Sequence, residues 1–237
     1  MSNFLCRALV TLLLQSQTIL AIAHLAVLLS LYLAYGCNFN FYITAESITK
    51  KEANMILNVD TELELKQLEL SDATDIFTTI DNQREYLGKW LPFVALTNNL
   101  SDSENFVSSV VNASEDAFEY VFTIRKQNTF VGIIGFKDTD KQNKKTEIGY
   151  WLSENAQKQG IVTKSVDTLC DFAFNRQGIN RIQIKCAAGN IPSKNIPQKL
   201  GFRFEGIERQ GELLTGTIYT DLEIYSKLKS EYISHGI

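Results

Sequence analysis

Ile148-Gly149-Tyr150-Trp151-Leu152 is followed, after a four-residue gap, by Gln157-Lys158-Gln159-Gly160-Ile161-Val162-Thr163. The first string reads as a strand, the gap as a short loop, and the second string as the opening of a helix. Ile161, Val162, Val166, Leu169, Phe172 and Ala173 give that helix one apolar face. A helix start presents backbone N–H groups without intrahelical acceptors, and the helix dipole adds partial positive charge there. Phosphate is well seated on such an end. Gly160 would let a phosphate reach the backbone with no side chain between them. Many strand–loop–helix junctions carry a glycine and bind nothing, so the rest of the chain has to decide.

Upstream, Phe118 to Arg125 and Thr129 to Phe136 read as strands around a turn at Lys126-Gln127-Asn128. Asp138 to Lys145 reads as a charged loop, and Thr146 to Leu152 as the third strand of a meander. Further upstream, Thr61 to Leu70 alternates polar and apolar residues, as an amphipathic strand does. Ser71-Asp72 would cap a helix carrying Ala73, Ile76, Phe77 and Ile80, and Trp90-Leu91-Pro92-Phe93 breaks its register. Ser101-Asp102-Ser103-Glu104 resembles a capping box for a second helix to about Val111. Downstream, Arg181 to Ala187 predicts a strand, Ser193 to Leu200 a short helix, Gly201 to Phe204 another strand, and Ile218 to Lys227 the last. The order is β-α-α-β-β-β-α-β-α-β-β. Hairpins make antiparallel pairs, so a purely parallel sheet is excluded and an α+β domain with a mixed sheet is expected.

Composition narrows the chemistry. The 237-residue chain has a net charge of −4, which gives no electrostatic case for nucleic acid. Cys6, Cys37, Cys170 and Cys186 are scattered with no CxxC pair, so buried, reduced thiols are expected and a zinc site is not. His24 and His235 are the only histidines, so any catalysis must proceed without a histidine base. Asp138-Thr139-Asp140 lacks the further carboxylates of a metal loop and reads as a hairpin tip; no metal is expected.

Residues 1–54 differ in kind. No charged residue falls between Arg7 and Glu46, and the stretch 18–35 is about the length that crosses a bilayer as a helix. Three readings stand: a transmembrane helix, a signal peptide with a weak lipobox-like Leu33 to Cys37, or an upstream segment that is not translated. For the last, Lys51-Glu52-Ala53-Asn54 is encodable as a bacterial ribosome-binding site just before Met55. The expected organisation is an apolar extension over 1–54 and a compact domain over 55–237, with Met55 the favoured start. The location expected is cytoplasmic; the alternative is a membrane anchor with the domain facing the cytoplasm.

From about Leu63 to Tyr225 the chain resembles the GNAT N-acetyltransferases, in the branch of the ribosomal-protein N-terminal acetyltransferases. The strings that carry the resemblance are Trp90-Leu91-Pro92, Gly132-Ile133-Ile134-Gly135, Ile148 to Leu152, Gly160 to Thr163, Asn180-Arg181, Asn190…Ser193, and Gly201-Phe202…Glu205-Gly206. The resemblance implies the GNAT fold, a mixed and mostly antiparallel twisted sheet flanked by helices. It also implies acetyl-CoA as donor, with the diphosphate on Gln157, Lys158, Gln159, Gly160, Ile161, Val162 and Thr163. Val162 replaces the family's small residue, a change that main-chain binding tolerates. Ile148, Gly149 and Tyr150 would pair with the pantetheine arm, and Asn190 would bond that arm or end its strand.

Many GNAT members place a tyrosine four residues before the Gly-Phe glycine as the acid for the leaving thiolate. Pro197 stands there, and in the ribosomal branch a serine, here Ser193, takes the role. Helix capping is its structural alternative. For the base the resemblance points to Glu212, with Glu205 second; Glu208 to Glu212 also reads as a polar turn. Trp90, Tyr150 and Glu205 are the candidate acceptor contacts. The implied reaction acetylates a primary amine, first a protein N-terminus such as that of a ribosomal protein. A small amine of the polyamine or aminoglycoside kind is the alternative acceptor, and a non-catalytic acyl-CoA sensor the alternative class. A homodimer is left open.

Overall fold

A computed structural model of the protein describes residues 55–113 and 120–232, all within the unit Glu52–Ile237 into which the chain divides after Lys51. The apolar stretch 18–35 lies outside the described residues, as do positions 118 and 119 at the expected start of the first meander strand. Among the described residues no helix is long and apolar enough to cross a membrane.

Eight strands form one sheet: β1 (Ile56–Asn58), β2 (Leu63–Gln67), β3 (Val121–Lys126), β4 (Thr129–Asp140), β5 (Lys145–Leu152), β6 (Arg181–Ala187), β7 (Arg203–Thr215) and β8 (Ile218–Leu228). Their spatial order is β1-β2-β3-β4-β5-β6-β8-β7, and only β5 and β6 run parallel. The helices are α1 (Ala73–Asn82), α2 (Arg84–Gly88), α3 (Leu100–Val111), α4 (Ile161–Asp171) and α5 (Ile191–Lys199). This is the mixed α+β architecture the sequence predicts, with β1 and α2 added.

Both faces of the sheet are covered, which is why β3 is buried at four consecutive positions. Phe122, Ile124, Ile134, Phe136 and Ile148 pack on Val166, Leu169 and Phe172 beneath α4. Val121 and Ile133 pack on Ile76, Ile80, Leu87 and Val107 of α1 to α3. The Gly132-Ile133-Ile134-Gly135 string has a packing reason. A Cβ at Gly132 would run into the Trp151 carbonyl, and one at Gly135 would lie 2.8 Å from the Tyr120 carbonyl. Between β3 and β4, Gln127 and Asn128 both take positive φ (48° and 64°), the left-handed pair that a two-residue hairpin turn requires.

Three local readings are corrected. Asp72 does not cap α1 with its side chain. Its carboxylate accepts from the Glu69 amide at 2.9 Å and from Arg125 Nη2 at 2.6 Å, so buried charge is paired with charge. The α3 cap is Asn99, with Asp102 reaching back to the Asn99 amide at 3.0 Å. The polar run Glu208 to Glu212 is no inter-strand turn but an irregular stretch inside β7, where Gln210 (φ 52°) bulges and its amide bonds Asp221 at 2.8 Å. Asp140 closes the β4–β5 hairpin by accepting from the amide and side chain of Asn143, at 2.9 and 2.7 Å. No metal-binding cluster occurs among the described residues.

Candidate active site

β5 and β6 share only three paired rungs, Lys145 with Arg181, Thr146 with Ile182 and Glu147 with Gln183. Beyond them β6 follows β8 as far as Ala187, while β5 follows β4 as far as Leu152. The two strands part from Ile148 onward. Ile148, Gly149 and Tyr150 therefore border an open wedge, with main-chain groups on the β6 side left without a ladder partner. An extended amide-bearing chain is the ligand such an edge accepts.

The wedge leads to the start of α4. Lys158 (φ 60°) and Gly160 (φ 73°) turn the chain through the left-handed region, and Gly160 is the helix N-cap. No side chain caps the helix, so the opening amides at Ile161, Val162 and Thr163 keep their donor capacity. A Cβ built on Gly160 would meet nothing within 4 Å. The loop is held by its side chains instead. Gln157 Nε2 donates to the Tyr86 hydroxyl, and Gln159 Oε1 accepts from Lys126 Nζ at 2.7 Å. Anchored side chains and free amides are what a diphosphate seat demands.

α5 forms the other wall. Its N-cap is Asn190, whose side-chain oxygen accepts from the Ser193 amide at 3.3 Å. Capping is thus done by Asn190, and the Ser193 hydroxyl is released from that duty. The Tyr150 hydroxyl lies 3.1 Å from Ser193 Oγ and 3.2 Å from the Ser193 carbonyl oxygen. Burial pushes the Tyr150 phenol well above its ordinary value, so it stays protonated.

On the α1–α3 face the wedge opens into a cavity of about 680 Å³. Its lining mixes the apolar Ile76, Ile80, Trp90, Phe93 and Phe106 with the polar Asp102, Asp138, Glu147, Lys185, Asn190 and Glu212. Trp90, Ile148, Gly149, Tyr150, Asn190 and Glu212 are thereby brought together around one space. Ser193 joins them through Tyr150. No hydrogen bond or ion pair ties the Glu212 carboxylate to another described residue. Glu205 is not brought to the cavity. Arg181 grips it with two bonds of 2.7 and 2.5 Å, and Ser226 Oγ donates to it at 2.6 Å. That clamp joins β6, β8 and β7, and Arg181 holds the Glu205 carboxyl down to about 2.

The sequence reading missed Glu147. It is 4% exposed, on the last rung before the strands part, with Lys137 Nζ at 2.8 Å and Gln183 Nε2 at 3.1 Å. In the sequence it is one charged residue two positions after Lys145 in the same strand, and nothing local marks it as buried. Cys186 also lines the cavity, and burial pushes its thiol up to about 11, which keeps it un-ionised. Both described cysteines, Cys170 and Cys186, are free and buried, as expected.

The family model for the acetyltransferase (GNAT) domain matches residues 62–203. The chain belongs to the GNAT acetyltransferase family. Among GNAT relatives, the putative ribosomal N-acetyltransferase YdaF of Bacillus subtilis is 30% identical over 184 residues, 73% of this chain and 95% of that protein. The ribosomal-protein-serine acetyltransferase of Escherichia coli is 27% identical over 172 residues, 73% of this chain and 96% of that one. A solved RimL ribosomal L7/L12 alpha-N-protein acetyltransferase in complex with coenzyme A superposes with a TM-score of 0.70 at 27% identity, over 73% of this chain and 98% of that chain. The microcin C7 self-immunity acetyltransferase MccE, solved with acetyl-CoA and AMP, gives 0.67 at 29% identity, over 72% of this chain and 94% of that chain. The α+β arrangement read from the sequence is thus the GNAT fold, and the protein is an acetyltransferase.

Proposed function

We propose that this protein transfers acetyl from acetyl-CoA to the N-terminal amine of a protein, of the kind the ribosomal-protein relatives act on, and does so in the cytoplasm. The observation that carries the reading is the wedge between β5 and β6, which runs from the free amides of α4 to a cavity lined by the unpaired carboxylate of Glu212. Gly160 to Thr163 hold the diphosphate, and the edge of β5 holds the amide-bearing arm. This places the thioester beside Ser193 and the cavity mouth. Bound side by side, amine and thioester react with much of the entropic cost already met.

Glu212 collects the ammonium and takes its proton, directly or through water. The free amine adds to the carbonyl carbon, the C–S bond breaks, and the proton lost by nitrogen is balanced by one gained at sulfur. Ser193 donates a hydrogen bond to the departing sulfur. The ribosomal-protein relatives favour a peptide over a polyamine as acceptor, and Ile76, Ile80, Trp90, Phe93 and Phe106 in the cavity lining suit such an acceptor's apolar body. Thiol release from acetyl-CoA, measured with Ser- and Ala-terminated peptides and with spermidine, tests this. Peptide-dependent release is expected. Release with spermidine alone would replace the acceptor, and acetyl-CoA binding without any release would make the protein a sensor.

A further inference from the structure

Pro197 occupies the interior of α5, four residues after Ser193. Proline has no N–H, so the helix cannot supply the usual i+4 donor to the Ser193 carbonyl. A carbonyl left over in a half-buried place needs another donor. That donor comes from a different element: the Tyr150 hydroxyl of β5 approaches the Ser193 carbonyl oxygen at 3.2 Å. The same hydroxyl stands 3.1 Å from Ser193 Oγ. The carbonyl can only accept, so the phenol donates to it, and the same phenol lies within hydrogen-bond reach of Oγ.

We infer that Pro197 and Tyr150 act together as positioning residues for Ser193: the missing N–H of one draws in the phenol of the other, and the phenol, bonding carbonyl and Oγ at once, leaves the serine O–H turned toward the wedge. In a helix with a full ladder the carbonyl would be satisfied from within, and the phenol would keep only its contact with Ser193 Oγ. This rests on the catalytic reading of Ser193, which makes its O–H the donor to the departing sulfur.

The test is a cycle of Tyr150→Phe, Pro197→Ala and the double variant, with Ser193→Ala beside them, each read for kcat, KM for acetyl-CoA and urea midpoint. Tyr150→Phe is expected to lower kcat about tenfold with little change in KM, and to lower the urea midpoint because the carbonyl is orphaned. Adding Pro197→Ala returns an N–H to the helix, so the double variant is expected to recover the midpoint while kcat stays low. Recovery of kcat as well would show that the phenol serves the helix alone, and overturn the inference. So would an unchanged kcat in Tyr150→Phe while Ser193→Ala is slow. An unchanged kcat in Ser193→Ala would remove the catalytic reading of the serine, and the inference with it.

Discussion

Ser193 does not cap its own helix, and Glu212 makes no hydrogen bond or ion pair with another described residue. Asn190 caps α5 in place of Ser193, and Arg181 neutralises Glu205, leaving Glu212 as the unpaired carboxylate of β7 at the cavity. Ser193→Ala and Glu212→Gln are each expected to lower kcat by about 10²-fold or more with the affinity for acetyl-CoA kept, a split that steady-state kinetics and calorimetry resolve. Glu205 should behave in the opposite way. Its carboxyl sits at about 2 in the folded protein against an ordinary 4.5. A depressed carboxylate contributes stability that is complete above its unfolded value and is lost as pH falls through the folded one. The urea midpoint of Glu205→Gln should therefore lie below that of the parent protein at pH 7, with the gap closing between about pH 4.5 and 2. A gap that persists at low pH would assign the effect to packing. Glu212 was legible only through resemblance, and Glu147 not at all: a strand pattern shows which positions turn inward, not that an inward position can hold a charge once Lys137 and Gln183 reach it.

The turn into α4 was the most legible element, because its apolar face and its glycine are local features. The less legible elements are those whose form is set by partners distant in sequence. β1 has three residues and α2 five, too few for any period to register. β7 is an edge strand exposed along most of its length, so its alternation is blurred and its bulge at Gln210 reads as a turn. The splay of β5 from β6 left no mark of its own in composition or periodicity, since it concerns where pairing stops. At the α4 turn, Gly160→Asp is expected to leave the fold intact, because a Cβ there meets nothing, yet to weaken acetyl-CoA binding about 10²-fold or more. The new carboxylate would itself bond the opening amides and repel the diphosphate. Gly160→Ala serves as the control. It bears the cost of φ 73°, about 1 kcal/mol, without the charge, so its calorimetric loss should be much smaller.

At the scale of the whole molecule, two cores share one sheet, and α4 closes the larger of them. Leu169 of α4 is fully buried in that core. Leu169→Ala should cost about 2–5 kcal/mol, which for a domain of this size lowers the melting temperature by very roughly 5–15 °C. An unchanged melting temperature would contradict the placement of Leu169 in this core.

The sheet is in effect two panels, β1 to β5 and β6 to β8, stitched by three rungs. A donor lying in the gap becomes the missing seam. Its amide groups would continue the ladder where protein stops doing so, and the panels would be bound more firmly with it than without it. Deuterium uptake at Ile148 to Leu152 should slow when coenzyme A is added, and most of all on the side that no strand covers.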